Sequence, residues 1–308
     1  MDETLLAVQY SKYHGGPSAL EYMISCPMPT PNVFEMLVKV EACGVNVVDW
    51  RFQDDLRKYV VPCKFPHVPG CDLSGEVVML GPWVVGFEPG EKIISWISPV
   101  KGGGYAEYAV TASATTMKRP PGVSVVEAAS LPRLPMTALR SAVQVAGLKL
   151  DGSGPKLNVL ITAASGEVGP FWTQIAKLCG CHVTATCGSH NTELVRSLGA
   201  DEVLDYKSTE GAKYTSPSGK KSDVVLTLKT YLKNWYLKLR LSKLSFVPLV
   251  LDGSDGGNLQ CITDLLEEGK LRVIIDSTFS PGQGQGSMDS KHRRSQHGET
   301  WSYHCNAT

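Results

Sequence analysis

The sequence has no net charge: 30 Lys and Arg balance 30 Asp and Glu. A balanced chain carries no global field to gather nucleic acid or acidic lipid, so nucleic acid is not expected as a partner. Long apolar runs are missing too, and none reaches the length of a membrane span. The opening Met1-Asp2-Glu3-Thr4 shows no basic stretch leading into an apolar one. The reading therefore expects neither a secretory signal nor an Arg-rich, acid-poor transit peptide. No C-x-x-C occurs. The nine cysteines (Cys26, Cys43, Cys63, Cys71, Cys179, Cys181, Cys187, Cys261 and Cys305) are odd in number and scattered. They read as reduced thiols of an intracellular protein, not as a disulfide frame or a zinc knuckle.

What is present suits a soluble enzyme. Hydrophobic residues make up 43% of 308, enough for two domains with cores of their own. The most informative stretch runs from Lys156 to Tyr206. Val159-Leu160-Ile161-Thr162 is an apolar run, and Ala163-Ala164-Ser165-Gly166-Glu167-Val168-Gly169 turns it. An apolar-periodic segment continues to Gly180, and His182-Val183-Thr184-Ala185-Thr186 is a second β-rich run. Thr192 to Leu198 reads as a helix stopped by Gly199-Ala200, and Glu202 to Tyr206 as a third strand. The repeated βαβ order is that of a dinucleotide-binding sheet. A diphosphate needs backbone N–H groups and the positive end of a helix, with side chains kept away. Ala164, Ser165, Gly166, Val168 and Gly169 are thus the expected cradle, and hydride transfer with a nicotinamide nucleotide the expected chemistry.

The second strand also argues for one nucleotide over the other. NAD-specific sites end this strand in Asp or Glu, which accepts from the ribose hydroxyls. Here it ends Thr186-Cys187-Gly188-Ser189-His190-Asn191, with no carboxylate before Glu193. Gly188, Ser189 and His190 would then receive a 2′-phosphate, which favours NADPH, though a His mostly neutral at pH 7 grips it weakly.

Residues 1–125 read as β-rich. Leu37 to Ala42 alternates, Gly75 to Val78 and Lys92 to Trp96 are further strands, and Gly102-Gly103-Gly104 turns into Tyr105 to Val110. Short strands with glycine turns imply a closed or partly closed barrel. From Ser124 to Ala146 the pattern is helical and marks the crossing into the nucleotide domain, taken as 126–279.

Barrel first and Rossmann domain second, joined to specific words, resembles the medium-chain dehydrogenase/reductase superfamily. The likeness is greatest to its zinc-free quinone oxidoreductase branch, among the plant chloroplast-envelope homologues. The words are Asn46-Val47-Val48-Asp49-Trp50, Gly90-Glu91-Lys92, Gly102 to Tyr108, Thr162 to Gly169, Leu198 to Tyr206 and Ser216 to Lys221. The resemblance implies an α/β protein with a GroES-like barrel and a Rossmann domain. It further implies NADPH-dependent reduction of quinones or enones, a chloroplast location, in the envelope, with the cytoplasm as alternative, and it admits a homodimer. Zinc-ligand positions of related alcohol dehydrogenases fall on Asn46 and Cys71. Asn is a poor zinc ligand and one thiolate does not complete a site, so no metal is expected and Cys71 reads as a buried thiol. Asn46 is either a hydrogen-bond donor at the reacting centre or a tie for the barrel loop. Asp49 orients that loop. Arg51, where relatives often carry Lys, either stabilises an enolate or lies on the surface. Thr137 approaches the nicotinamide. Tyr206, with Lys207, lines the adenosine side or is an ordinary strand-end aromatic.

Four departures stand out. Glu167 takes the place of a family glycine, and its charge beside a diphosphate would cost roughly 1–4 kcal/mol. Arg133 and Pro135 replace small residues at the domain crossing. Leu226 to Lys243 is a basic, leucine-rich stretch where a fourth strand, loop, helix and fifth strand are expected. It reads as a missing or replaced block, with a membrane- or partner-touching amphipathic helix as alternative, and makes the C-terminal part of the Rossmann domain irregular or incomplete, atypical at 226–246. The tail, 280–308, has no strand or helix pattern and reads as disordered. Its His292, His297, His304 and Cys305 read as a chance cluster more readily than a metal site. These departures keep a second reading open, a catalytically impaired nucleotide-binding or structural homologue.

Overall fold

The computed structural model describes residues 4–53, 63–226, 245–247, 256–280 and 303–306, with the backbone alone at 50, 51, 245–247, 256 and 303–306. In chain order the first half contains β1 (Thr4–Gln9), β2 (Glu21–Pro27), β3 (Glu35–Val45), α1 (Val47–Gln53), β4 (Asp72–Leu80), β5 (Lys92–Trp96), β6 (Tyr108–Ala112) and β7 (Thr116–Lys118). The second half contains α2 (Val125–Ala128), α3 (Leu134–Arg140), β8 (Asn158–Ile161), α4 (Gly169–Leu178), β9 (His182–Cys187), α5 (Thr192–Ser197) and β10 (Glu202–Asp205). It continues with β11 (Val224–Leu226), β12 (Ser245–Val247), α6 (Gly256–Glu267), β13 (Ser277–Phe279) and β14 (Tyr303–Asn306).

β3 organises the barrel half. One edge pairs antiparallel with β4. The other is shared, β6 taking Glu35 to Lys39 and β14 taking Ala42 to Val45. Its register with β4 shifts twice, and a Cβ on Gly75 would lie 2.2 Å from the Lys39 carbonyl oxygen, so the bulged strands meet only because that position is bare. Met36, Val38, Val40, Leu73, Val77 and Ile93 fill the interior. β1 and β2 form a separate two-stranded sheet, bridged to the barrel at Ala7–Ala106 and Tyr10–His67.

The nucleotide half is a parallel sheet in the order β10-β9-β8-β11-β12. Its inner strands carry almost unbroken buried runs, Val159-Leu160-Ile161 and Val183 to Cys187, as parallel strands covered on both faces require. A capping box opens α2: Ser124 accepts from the Glu127 amide while the Glu127 carboxylate accepts from Ser124. α3 runs on into a π-helical turn, Ser141–Val145, and packs against α4. There the fully buried Trp172 donates from Nε1 to Ser141 Oγ at 2.6 Å. The Gln174 side chain pairs with the Arg272 backbone at 2.7 and 3.0 Å and holds the segment after α6. Among the described residues no helix is long and apolar enough to cross a membrane.

Two expectations need correction. The fifth strand is present: Ser245–Val247 pairs parallel with β11. A three-residue extended run suffices there because the open edge of β11 supplies the partners. The leucine-rich stretch before it, from 227 to 244, lies outside the described residues. The tail is not wholly without structure, since Tyr303–Asn306 completes the barrel sheet on β3 and pairs parallel with Ser277–Phe279. The barrel sheet, not the nucleotide domain, therefore claims 277–279. His304 and Cys305 sit on β14, while His292 and His297 lie outside the described residues.

Candidate active site

The phosphate turn is built from the backbone. Strand β8 ends where Thr162 donates, from both N–H and hydroxyl, to the Leu226 carbonyl at 3.0 Å. Ala163 then takes φ +54°, a left-handed turn unusual for alanine. The Ala164 amide reaches Thr186 O at 2.8 Å, and Gly166 N reaches Ala163 O at 2.9 Å. A Cβ on Gly169 would lie 2.4 Å from the Ala163 carbonyl oxygen, so only glycine lets α4 start this close to the strand. Among the described residues no acceptor meets the amides of Ser165, Val168 and Gly169. They are open donors at the positive end of a ten-residue helix. Ser165 Oγ accepts from the buried Asn191 amide at 3.1 Å, and its own hydrogen has no acceptor among the described residues. Glu167 is half-buried, and its Oε1 is shielded from solvent.

The neighbouring strand ends complete this edge. Gly188 is buried, Ser189 and His190 are exposed, and the His190 ring lies 3.0 Å from where a Gly188 Cβ would stand. The Tyr206 amide donates to Cys187 O at 3.2 Å, and Lys207 Nζ lies 5.7 Å from the Tyr206 ring centre. The expected cradle residues and Gly188, Ser189, His190 and Tyr206 thus share the carboxyl end of the parallel sheet, at the point where strand order reverses about β8. Open amides, a free hydroxyl and no carboxylate on β9 fit a dinucleotide diphosphate and its ribose.

The barrel half contributes buried side chains. Asn46 is 2% exposed, and its Nδ2 donates to Asp72 Oδ2 at 2.9 Å. Asp49, on α1, is 3% exposed and among the described residues gathers four donors: Asn46 N at 2.8 Å, Gly70 N at 3.3 Å, Cys71 Sγ at 3.3 Å and Tyr105 OH at 3.4 Å. The carboxylate thereby ties α1, the start of β4 and the glycine loop before β6 into one unit. Burial, reinforced by Asp49 and Asp72, pushes the Cys71 thiol well above its ordinary range, while Arg133 pulls the other way. Cys71 is therefore a buried neutral thiol. Burial also lowers His67 to about 4, so it is neutral at pH 7. Thr137 is buried on α3, its hydroxyl donating to the Arg133 carbonyl at 2.7 Å. Arg51 lies on α1, but its side chain is outside the described residues.

Residues 32–121 match the alcohol dehydrogenase GroES-like domain. The chain is 43% identical over 300 residues to a chloroplast envelope quinone oxidoreductase homologue of Arabidopsis thaliana, covering 88% of this chain and 90% of that one. The chain belongs to that family of medium-chain dehydrogenase/reductases. A chloroplastic quinone-oxidoreductase homologue of Spinacia oleracea is 42% identical over 91% of this chain and 92% of its own. The fold matches the quinone oxidoreductase of Coxiella burnetii with a TM-score of 0.86, over 99% of this chain and 100% of that one, at 22% identity.

Within this family member, the sequence left three parts of the site unseen. Asp72 holds Asn46 from 26 residues away, and Tyr105 reaches Asp49 from 56. Asn191 fixes Ser165 from 26. Asp72 and Tyr105 are polar residues at a strand start or beside a glycine, and Asn191 stands just before α5, which was the signal available.

Proposed function

We propose that this protein reduces quinones or α,β-unsaturated carbonyls with NADPH, by hydride transfer without zinc. The observation that carries the reading is the phosphate turn, with its open amides at Ser165, Val168 and Gly169 beside a β9 end that bears no carboxylate. Ser165 donates to the diphosphate, and Ser189 and His190 receive the 2′-phosphate. Thr137 has spent its hydrogen on Arg133 O, so toward a nicotinamide it offers only acceptor lone pairs. When bound, the reduced nucleotide supplies the hydride.

In the barrel half, Asn46 keeps a second amide hydrogen for a substrate oxygen, and Asp49 holds its loop. Negative charge grows on that oxygen as the β-carbon takes the hydride, and fixed donors stabilise it. No metal is required for that step, and Asn46 and Cys71 are both engaged with carboxylates. The names of the plant relatives support a chloroplast location, at the envelope. Peripheral membrane contact and a homodimer belong to the same proposal.

Titration by nucleotide fluorescence should give tighter binding of NADPH than of NADH; equal or reversed affinities refute the preference. A second reading, nucleotide binding with impaired turnover, draws on Glu167, whose partly buried carboxylate sits within the phosphate turn.

A further inference from the structure

Arg133 belongs to no part of the machinery described so far. It is the residue before α3, at the domain crossing, and only 7% exposed. Its carbonyl is used: the Thr137 amide and hydroxyl donate to it at 3.0 and 2.7 Å. Its guanidinium is not. Among the described residues no hydrogen bond or ion pair reaches it.

A guanidinium stays charged at any working pH and carries five donors. Burying it is costly unless charge nearby compensates. Compensation is close. Arg133 acts electrostatically on Cys71, the thiol that donates to Asp49 and precedes Asp72. The barrel approaches this segment tightly, since a Cβ on Gly44 would lie 2.6 Å from the Ala129 carbonyl oxygen. Asp49 and Asp72 act on the same thiol, and neither forms a hydrogen bond or ion pair with Arg133 among the described residues. What remains is a largely buried cation with unused donors, one turn before Thr137 and within electrostatic reach of Cys71.

We propose that the Arg133 guanidinium receives the substrate's carbonyl oxygen as it becomes an oxyanion, and is a catalytic residue of this chain. The inference rests on the reductase reading. Hydride addition to the β-carbon of an enone moves the C=C electron pair toward the carbonyl oxygen. That oxygen bears the negative charge until a solvent proton reaches the α-carbon. A buried cation beside it favours substrates whose product-forming step creates an enolate or phenolate.

The test uses the full chain and 4-nitrophenol, whose ionised form mimics the enolate and has its own absorption band. The wild type should bind the phenolate in preference to the phenol. Arg133→Gln should weaken phenolate binding by about tenfold or more, with NADPH affinity unchanged, and Arg133→Lys should fall between. The Arg133→Gln rate constant for enone reduction should drop on the order of a hundredfold. If the phenolate site depends on Arg133 but no enone or quinone is reduced, the oxyanion site stands and the reductase reading falls. Equal phenolate affinity in the wild type and a folded Arg133→Gln overturns the inference. Should that variant not fold, a wild type with no preference for the ionised form overturns it as well.

Discussion

The two sides of the site are made of different material. On the nucleotide side the groups on offer are backbone amides, held open by a left-handed Ala163 and a bare Gly169. On the barrel side they are buried side chains, held by carboxylates that each serve partners far along the chain. A backbone cradle fails when an atom is added. A side-chain cluster fails when an atom is removed, because each lost carboxylate strands buried donors.

The largest effect should come from the barrel side. Asp49→Ala leaves the buried amides of Asn46 and Gly70 without their acceptor, and should destabilise the fold by about 4 kcal/mol in a denaturant titration. Asp49→Asn, which keeps an acceptor oxygen, should cost clearly less. If both cost the same, Asp49 is not the hub assigned to it.

Next in size is the added atom. In Gly169→Ala the new Cβ meets backbone at Ala163 O and Ala164, none of which rotates away. Shifting α4 off the strand should cost about 3 kcal/mol, read as nucleotide binding roughly a hundredfold weaker. Unchanged binding would mean that the helix start has slack.

The smallest effect compares charge with shape at the same turn. Glu167→Gly removes a half-buried carboxylate, and should tighten NADPH binding by up to about tenfold. An unaltered dissociation constant would mean that the carboxylate does not face the diphosphate.

The same contrast explains what the sequence could disclose. The cradle is contiguous, so its strands and turn can be read in order: Asn158–Ile161 announces itself by its apolar run and His182–Cys187 by its β-rich pattern. The barrel cluster is assembled from three separate stretches, residues 46–49, residues 70–72 and Tyr105, and nothing in the order of residues joins one stretch to another. The tail strand was illegible for another reason. Tyr303–Asn306 follows a long polar stretch, and it is a strand because β3 leaves Ala42 to Val45 unpaired on that edge. β12 is likewise set by the edge of β11 more than by its own three residues. Arg133, by contrast, was visible as an odd residue in a run of small and apolar ones, but its burial was not.

The most direct test of the account is single-turnover oxidation of protein-bound NADPH after rapid mixing with a simple enone and, separately, with a quinone. The account predicts that bound NADPH is consumed by at least one of them in one kinetic phase, with the purified protein and no added metal. NADPH that binds tightly and stays reduced in both mixtures would contradict it, and would leave a nucleotide-binding homologue without the reaction.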